Sequence, residues 1–159
     1  MKTLVAYFSA TGRTRKISER IAEKSGADIY EIKPAVKYTK ADLNWMDKNS
    51  RTTIEMNNKD RRPDIVTGDI DISAYDTIYL GFPIWWYVAP TVINAFLEAY
   101  NFSSKRIIIF ATSGGSKFGD TLAELKPSAT GAELAEGKIM NGIITDNKIE
   151  ELIKLGVKT

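Results

Sequence analysis

The chain contains no cysteine and no histidine among its 159 residues. Without cysteine there is no disulfide, no thiolate metal site and no sulfur nucleophile. Without histidine there is no Ser-His-Asp triad, no imidazole metal ligand and no imidazole proton switch. Any redox or group-transfer chemistry therefore has to be supplied by a bound cofactor. Neither sign of charge dominates: 22 basic residues against 20 acidic ones leave a net charge of +2, too balanced to imply a nucleic-acid partner. No apolar run is long enough to span a bilayer. Met1-Lys2-Thr3 leads straight into a strand pattern and reads as leaving no room for a signal or transit peptide, so the expectation is a cytoplasmic protein.

What is present is ordinary globular material, 43% hydrophobic and 26% charged, in a chain long enough to bury a proper core as one domain over 1–159. The organising stretch runs from Leu4 to Ala22. Residues Thr3 to Phe8 are β-branched and aromatic enough for a buried strand, and Ile17, Ile21 and Ala22 fall on one helical stripe. Between them lies Ser9-Ala10-Thr11-Gly12-Arg13-Thr14. Hydroxyls and a glycine at the mouth of a helix bring together side-chain donors, a permissive backbone and orphan amides at the positive end of the helix dipole. That set either holds a phosphate or simply caps the helix. Arg13, Arg15, Lys16, Arg20 and Lys24, set against Glu19 and Glu23, read as a solvated helical face.

Further along, Ser25-Gly26 ends the first helix and Asp28 to Ile32 alternates as a short second strand. A long excursion follows, at about 33–73, bracketed by Pro34 and Pro63 and helical in places between Ala41 and Asn57. Crossovers of that length are more often functional than idle. Its Trp45 either covers a ligand or packs on the sheet edge. Tyr75 to Gly81 reads as a third strand and Lys105 to Ala111 as a fourth, both apolar in succession, as strands covered on two faces should be. The third leads into Phe82-Pro83-Ile84-Trp85-Trp86-Tyr87, then Pro90 and a helix through Val92, Ile93, Phe96 and Leu97. The fourth leads into Thr112-Ser113-Gly114-Gly115-Ser116 and a short helix over Asp120 to Leu125. Gly131 to Leu134, resuming near Lys138 to Met140, reads as a last short edge strand, and Thr145 to Gly156 as a terminal helix.

Strands alternating with helices, without internal repeats, predict an α/β doubly wound sheet of five parallel strands with helices on both faces. Ligands of such sheets bind beyond the carboxyl ends of the strands. The loops at 9–14, 82–90 and 112–119 all lie there. Four aromatics within six residues are hard to bury together, so at least one of Trp85 and Trp86 should face ligand or solvent.

Ser-x-Thr-Gly-x-Thr directly after an N-terminal strand, together with Pro-Ile-Trp-Trp after strand three and a Tyr-Thr…Asn-Ser-Arg…Arg-Pro excursion, resembles the flavodoxin family over nearly the whole chain. The resemblance implies strand order 2-1-3-4-5 and flavin mononucleotide (FMN) as cofactor. It places the phosphate on Ser9, Thr11, Gly12, Arg13 and Thr14, the ring against Pro83, Ile84, Trp85 and Trp86, and the pyrimidine edge on Ser113, Gly114 and Gly115. It implies either an electron carrier serving a redox partner protein or a reductase passing electrons from a nicotinamide donor to a quinone or similar small acceptor. The chain departs from the acidic electron-carrier flavodoxins in being slightly basic. Phosphate chemistry on this fold is disfavoured, since strand one ends without an acidic cluster, Cys-x₅-Arg is impossible, and Walker and Rossmann glycine motifs are missing.

Overall fold

The computed structural model describes residues 2–58, 60 and 62–157. Five parallel strands, β1 (Lys2–Tyr7), β2 (Asp28–Glu31), β3 (Tyr75–Pro83), β4 (Arg106–Thr112) and β5 (Glu133–Ile139), form one sheet in the order β2-β1-β3-β4-β5. The helices are α1 (Arg13–Ser25), α2 (Arg51–Asn57), α3 (Thr91–Ala99), α4 (Thr121–Leu125) and α5 (Asp146–Gly156). No helix among the described residues is long and apolar enough to cross a membrane.

Strand periodicity sorts the core into two layers. Leu4, Ala6, Ile78, Leu80, Phe82, Ile107 and Ile109 point to one face and pack with Val92, Ile93, Phe96 and Leu97 of α3 and Leu125 of α4. Val5, Tyr79, Ile108 and Phe110 point to the other and pack with Ile17 and Ile21 of α1 and Ile149 and Leu152 of α5. The apolar runs of β3 and β4 follow from this, because both of their faces are covered by helices. Gly81 is required by close approach: a β-carbon there would come within 2.2 Å of the Phe110 ring.

β1, β2 and β4 fall within one residue of the sequence expectation, and β3 and β5 depart further from it. β3 continues through Phe82-Pro83, pairing Pro83 with Thr112, because a proline at the last position of a strand costs the ladder a single donor. β5 is one continuous strand where an interrupted one is predicted. Ala135, Glu136 and Gly137 have poor strand propensity, yet Gly137 leaves room for the Ile109 carbonyl, which would lie 2.4 Å from an added β-carbon, and the pairing with β4 shifts register at that point.

The excursion between β2 and β3 is closed at its base by an antiparallel bridge between Pro34 and Ile65. Turns occupy most of its outer part, and the helical composition is realised only in α2, whose cap Ser50 accepts a hydrogen bond from the Thr53 amide. Arg51 stacks 3.8 Å from the centre of the Tyr38 ring and bonds the Glu55 carboxylate at 3.0 Å. Tyr38 donates to that same carboxylate. Burial, followed by this hydrogen bond, pushes the Tyr38 phenol well above its ordinary pKa and keeps it protonated.

Candidate functional site

Three strand ends build the site. β1, β3 and β4 are adjacent in the sheet, so the loops leaving their carboxyl ends meet, and the excursion folds over them. The result is a cavity of about 620 Å³ lined by residues 10, 11, 13 and 14 of the first loop, 83–87 of the second and 112–114 and 116 of the third, together with Leu43, Trp45 and Thr52. Its volume lies within the range of small-molecule and cofactor sites.

At the first loop, Gly12 adopts φ 95° immediately before α1, a left-handed conformation that a β-carbon would oppose. No side chain caps α1. Its first-turn amides consequently remain available to an anion. Ser9 accepts the Gly12 amide at 3.0 Å, which shapes the loop from behind. Thr11 and Arg13 are exposed, whereas Thr14 is 2% exposed and its hydroxyl lies 3.0 Å from that of Thr112.

The second loop is a tight turn. Trp85 and Val88 exchange backbone hydrogen bonds of 2.9 and 3.1 Å across Trp86 and Tyr87, both left-handed at φ 49° and 66°. Two-residue antiparallel turns favour this geometry but ordinarily fill it with asparagine and glycine. Here two bulky aromatics are held in it at a cost of order 1 kcal/mol or more each. Trp85 turns inward, edge-on to Phe8 at 5.7 Å and Tyr38 at 5.4 Å. Trp86 and Tyr87 remain 40% and 68% exposed. Opposite them on the excursion, Trp45 is 69% exposed and lines the cavity without packing onto the sheet edge.

The third loop is tied to the chain beyond β5. The Asn141 side chain accepts the Ser113 amide and donates to the Ser113 hydroxyl, both at 2.9 Å. Gly114 faces open space with nothing within 4 Å of a β-carbon position, and Gly115 takes φ 126°.

Of the residues predicted from sequence, Thr11, Arg13, Thr14, Pro83, Ile84, Trp85, Trp86, Ser113 and Gly114 line the one cavity, while Ser9, Gly12 and Gly115 shape its loops without lining it. Leu43, Thr52, Tyr87, Thr112 and Ser116 also line it. Tyr87 belongs to the aromatic cluster and Thr112 and Ser116 to the hydroxyl-rich loop visible in the sequence; Leu43 and Thr52 carry no local signal. Arg13 and Tyr87 are the only ionisable side chains among the described lining residues. The cavity thus offers aromatic and aliphatic walls, hydroxyls, open amides and one cation, and no carboxylate or amine to act as a strong acid or base.

Such a doubly wound sheet with a ligand cavity at its carboxyl edge defines a class of cofactor-binding α/β proteins. Residues 2–155 match the flavodoxin family, and the chain belongs to it. Among solved structures, one described as a flavoprotein from Bacteroides uniformis is 44% identical, with 96% of this chain and 97% of that chain covered at a TM-score of 0.90. Another, described as a flavoprotein from Bacteroides eggerthii, is 40% identical over 99% of both chains at a TM-score of 0.91. A Lactobacillus acidophilus flavoprotein in complex with FMN shares the fold at 22% identity, over 96% of this chain and 98% of that one, with a TM-score of 0.73. No curated protein matches the chain.

Proposed function

We propose that this chain is an FMN-binding redox flavoprotein that carries electrons between a donor and a redox partner protein. FMN is the cofactor. Membership of the flavodoxin family supports this, as does the presence of FMN in the L. acidophilus relative. The residues fit the group: the open amides at the start of α1, with Thr11 and Arg13, suit a terminal phosphate. Pro83, Ile84 and Trp86 offer flat walls to a ring, and the Gly114 backbone, between Ser113 and Gly115, can be approached by its polar edge without a side chain in the way.

The observation that carries the reading is the composition of the lining, in which no carboxylate or amine accompanies Arg13 among the described residues. When bound, FMN supplies the one- or two-electron chemistry. The chain's own residues then orient the cofactor and set its electrostatic surroundings. A second reading, a reductase passing electrons from a nicotinamide to a quinone or similar small acceptor, is favoured by the exposed aromatic rim of Trp45, Trp86 and Tyr87, which suits a planar molecule.

The test is the absorbance spectrum of the purified protein, reconstituted in parallel with FMN and with riboflavin, followed by anaerobic titration with reduced nicotinamides. The reading expects one FMN per chain and far weaker riboflavin binding; equal affinity for both would remove the phosphate site. Slow or absent bleaching by either nicotinamide fits the carrier, and rapid bleaching replaces it with the reductase.

A further inference from the structure

Asn141 follows β5, far in sequence from the two loops that it joins. Its orientation is fixed by chemistry: the Ser113 N–H can only donate, so the amide atom 2.9 Å from it is Oδ1. Nδ2 then faces the Ser113 hydroxyl as a donor, also at 2.9 Å. The Ser113 Oγ additionally accepts the Gly115 amide at 3.2 Å and donates to the Ser116 carbonyl at 2.6 Å. Its one proton and two lone pairs are all engaged. One side chain thereby fixes the start of the 113–116 loop, and that hydroxyl passes the constraint through Gly115 to Ser116.

The second lone pair of Asn141 Oδ1 meets the Arg13 guanidinium at 3.4 Å. Arg13 stands at the first position of α1, and it forms no ion pair with any described residue. An anion held at the open amides of α1 is therefore its natural charge partner. Movement of the guanidinium toward that anion alters the hydrogen bond that Asn141 Oδ1 receives. Because hydrogen bonds in a chain polarise one another, the change reaches the Ser113 amide.

We propose that Asn141 is a positioning residue that couples the phosphate loop at 9–14 to the loop at 113–116, so that the phosphate end of the bound nucleotide tunes the redox behaviour of its ring end. This rests on the FMN reading above.

The experiment compares wild type, Arg13→Ala, Asn141→Ala and the double variant for FMN affinity, riboflavin affinity and the midpoint potential of bound FMN. Asn141→Ala should weaken both flavins by about tenfold, because the ring loop is disturbed with either. Arg13→Ala should weaken FMN alone. Both single variants should shift the midpoint potential in one direction, with the double variant shifting no further than Asn141→Ala. A direct field of the guanidinium on the ring would survive in the Asn141→Ala background, so additive shifts overturn the coupling. Unchanged riboflavin affinity and potential in Asn141→Ala overturn it as well. Should Asn141→Ala fail to fold, Asn141→Leu, which keeps the side-chain volume and removes the acceptor that Arg13 and the Ser113 amide share, serves in the same comparison. A wild-type protein that binds neither flavin fails the FMN reading itself and takes the coupling with it; one that prefers FMN but shows additive shifts fails the coupling alone.

Discussion

The hydroxyls of Thr14 and Thr112 lie 3.0 Å apart in a buried position, joining the first turn of α1 to the last residue of β4 across 98 positions of sequence. This bond gives Thr14 a structural duty in addition to any contact with a ligand. Thr14→Ala leaves the Thr112 hydroxyl without its partner and should cost about 1–3 kcal/mol of apoprotein stability. Thr11 is exposed, so Thr11→Ala should lower FMN affinity about tenfold with no loss of stability. The double variant Thr14→Val/Thr112→Val should recover most of the stability, since an apolar pair leaves nothing unsatisfied. Denaturant unfolding of the apoproteins alongside flavin titration separates these outcomes; equal stability of Thr11→Ala and Thr14→Ala would contradict them.

The two tryptophans should respond oppositely to substitution. Trp85 packs edge-on between Phe8 and Tyr38, and its removal should cost about 3 kcal/mol. Trp86 is 40% exposed in a left-handed turn position. Trp86→Gly should raise apoprotein stability by about 1 kcal/mol by releasing that conformation, while reducing the quenching of flavin fluorescence and shifting the midpoint potential. Thermal melts and potentiometry on each variant check this. A destabilised Trp86→Gly would mean that its indole packs more tightly than its exposure implies.

Gly81 and Gly114 should also part company. Gly81→Ala drives a methyl into the Phe110 ring and should cost about 1–3 kcal/mol through overpacking, visible as a lowered Tm without flavin. Gly114→Ala meets no protein atom, so its apoprotein should melt like wild type. Loss of flavin affinity in that variant alone would place the ring edge against the Gly114 backbone.

Glu98 should set part of the protein's acid limit. Burial pushes its carboxyl up, but the hydrogen bonds from Arg62 and Ser128 and the Arg62 charge outweigh this and hold it below the ordinary carboxylate value. A carboxyl whose folded pKa is depressed stabilises the fold above its unfolded pKa and loses that contribution as pH falls through the folded value. Stability should therefore be flat near neutrality and decline on the acid side of the ordinary glutamate range. Glu98→Gln should be less stable at neutral pH and show a shallower decline. Parallel pH–stability curves for the two proteins would assign the acid limb elsewhere.

The strands and the place of the candidate site were legible because each rests on local patterns, whereas the strand order came from the family resemblance and not from any local signal. Apolar runs such as Ile107 to Phe110 announce a strand covered on both faces, and loops rich in glycine, hydroxyls or aromatics announce its carboxyl end. Contacts between distant positions were not legible. Thr112 ends an apolar run and Asn141 precedes a glycine, and neither carries a mark of its partner. Ser9 reads as a ligand group by composition; the fold uses its oxygen to accept the Gly12 amide, a loop-shaping role with no local signal, and its O–H remains able to donate. The left-handed Trp86-Tyr87 turn lacks the asparagine and glycine that would have signalled it, so tertiary packing has overridden turn chemistry there.

Both outer strands carry safeguards against lateral growth of the sheet. β2 is only four residues long and has charges at both ends, Asp28 and Glu31. β5 presents Glu133, Glu136 and Lys138, and the shift of its pairing beside Gly137 breaks the regular row of backbone groups. Short length, charge and irregularity are the devices by which natural sheets refuse a sixth strand from another molecule. Concentrated protein should accordingly resist edge-to-edge aggregation, leaving the aromatic rim at the carboxyl end of the sheet as the adhesive part of the surface.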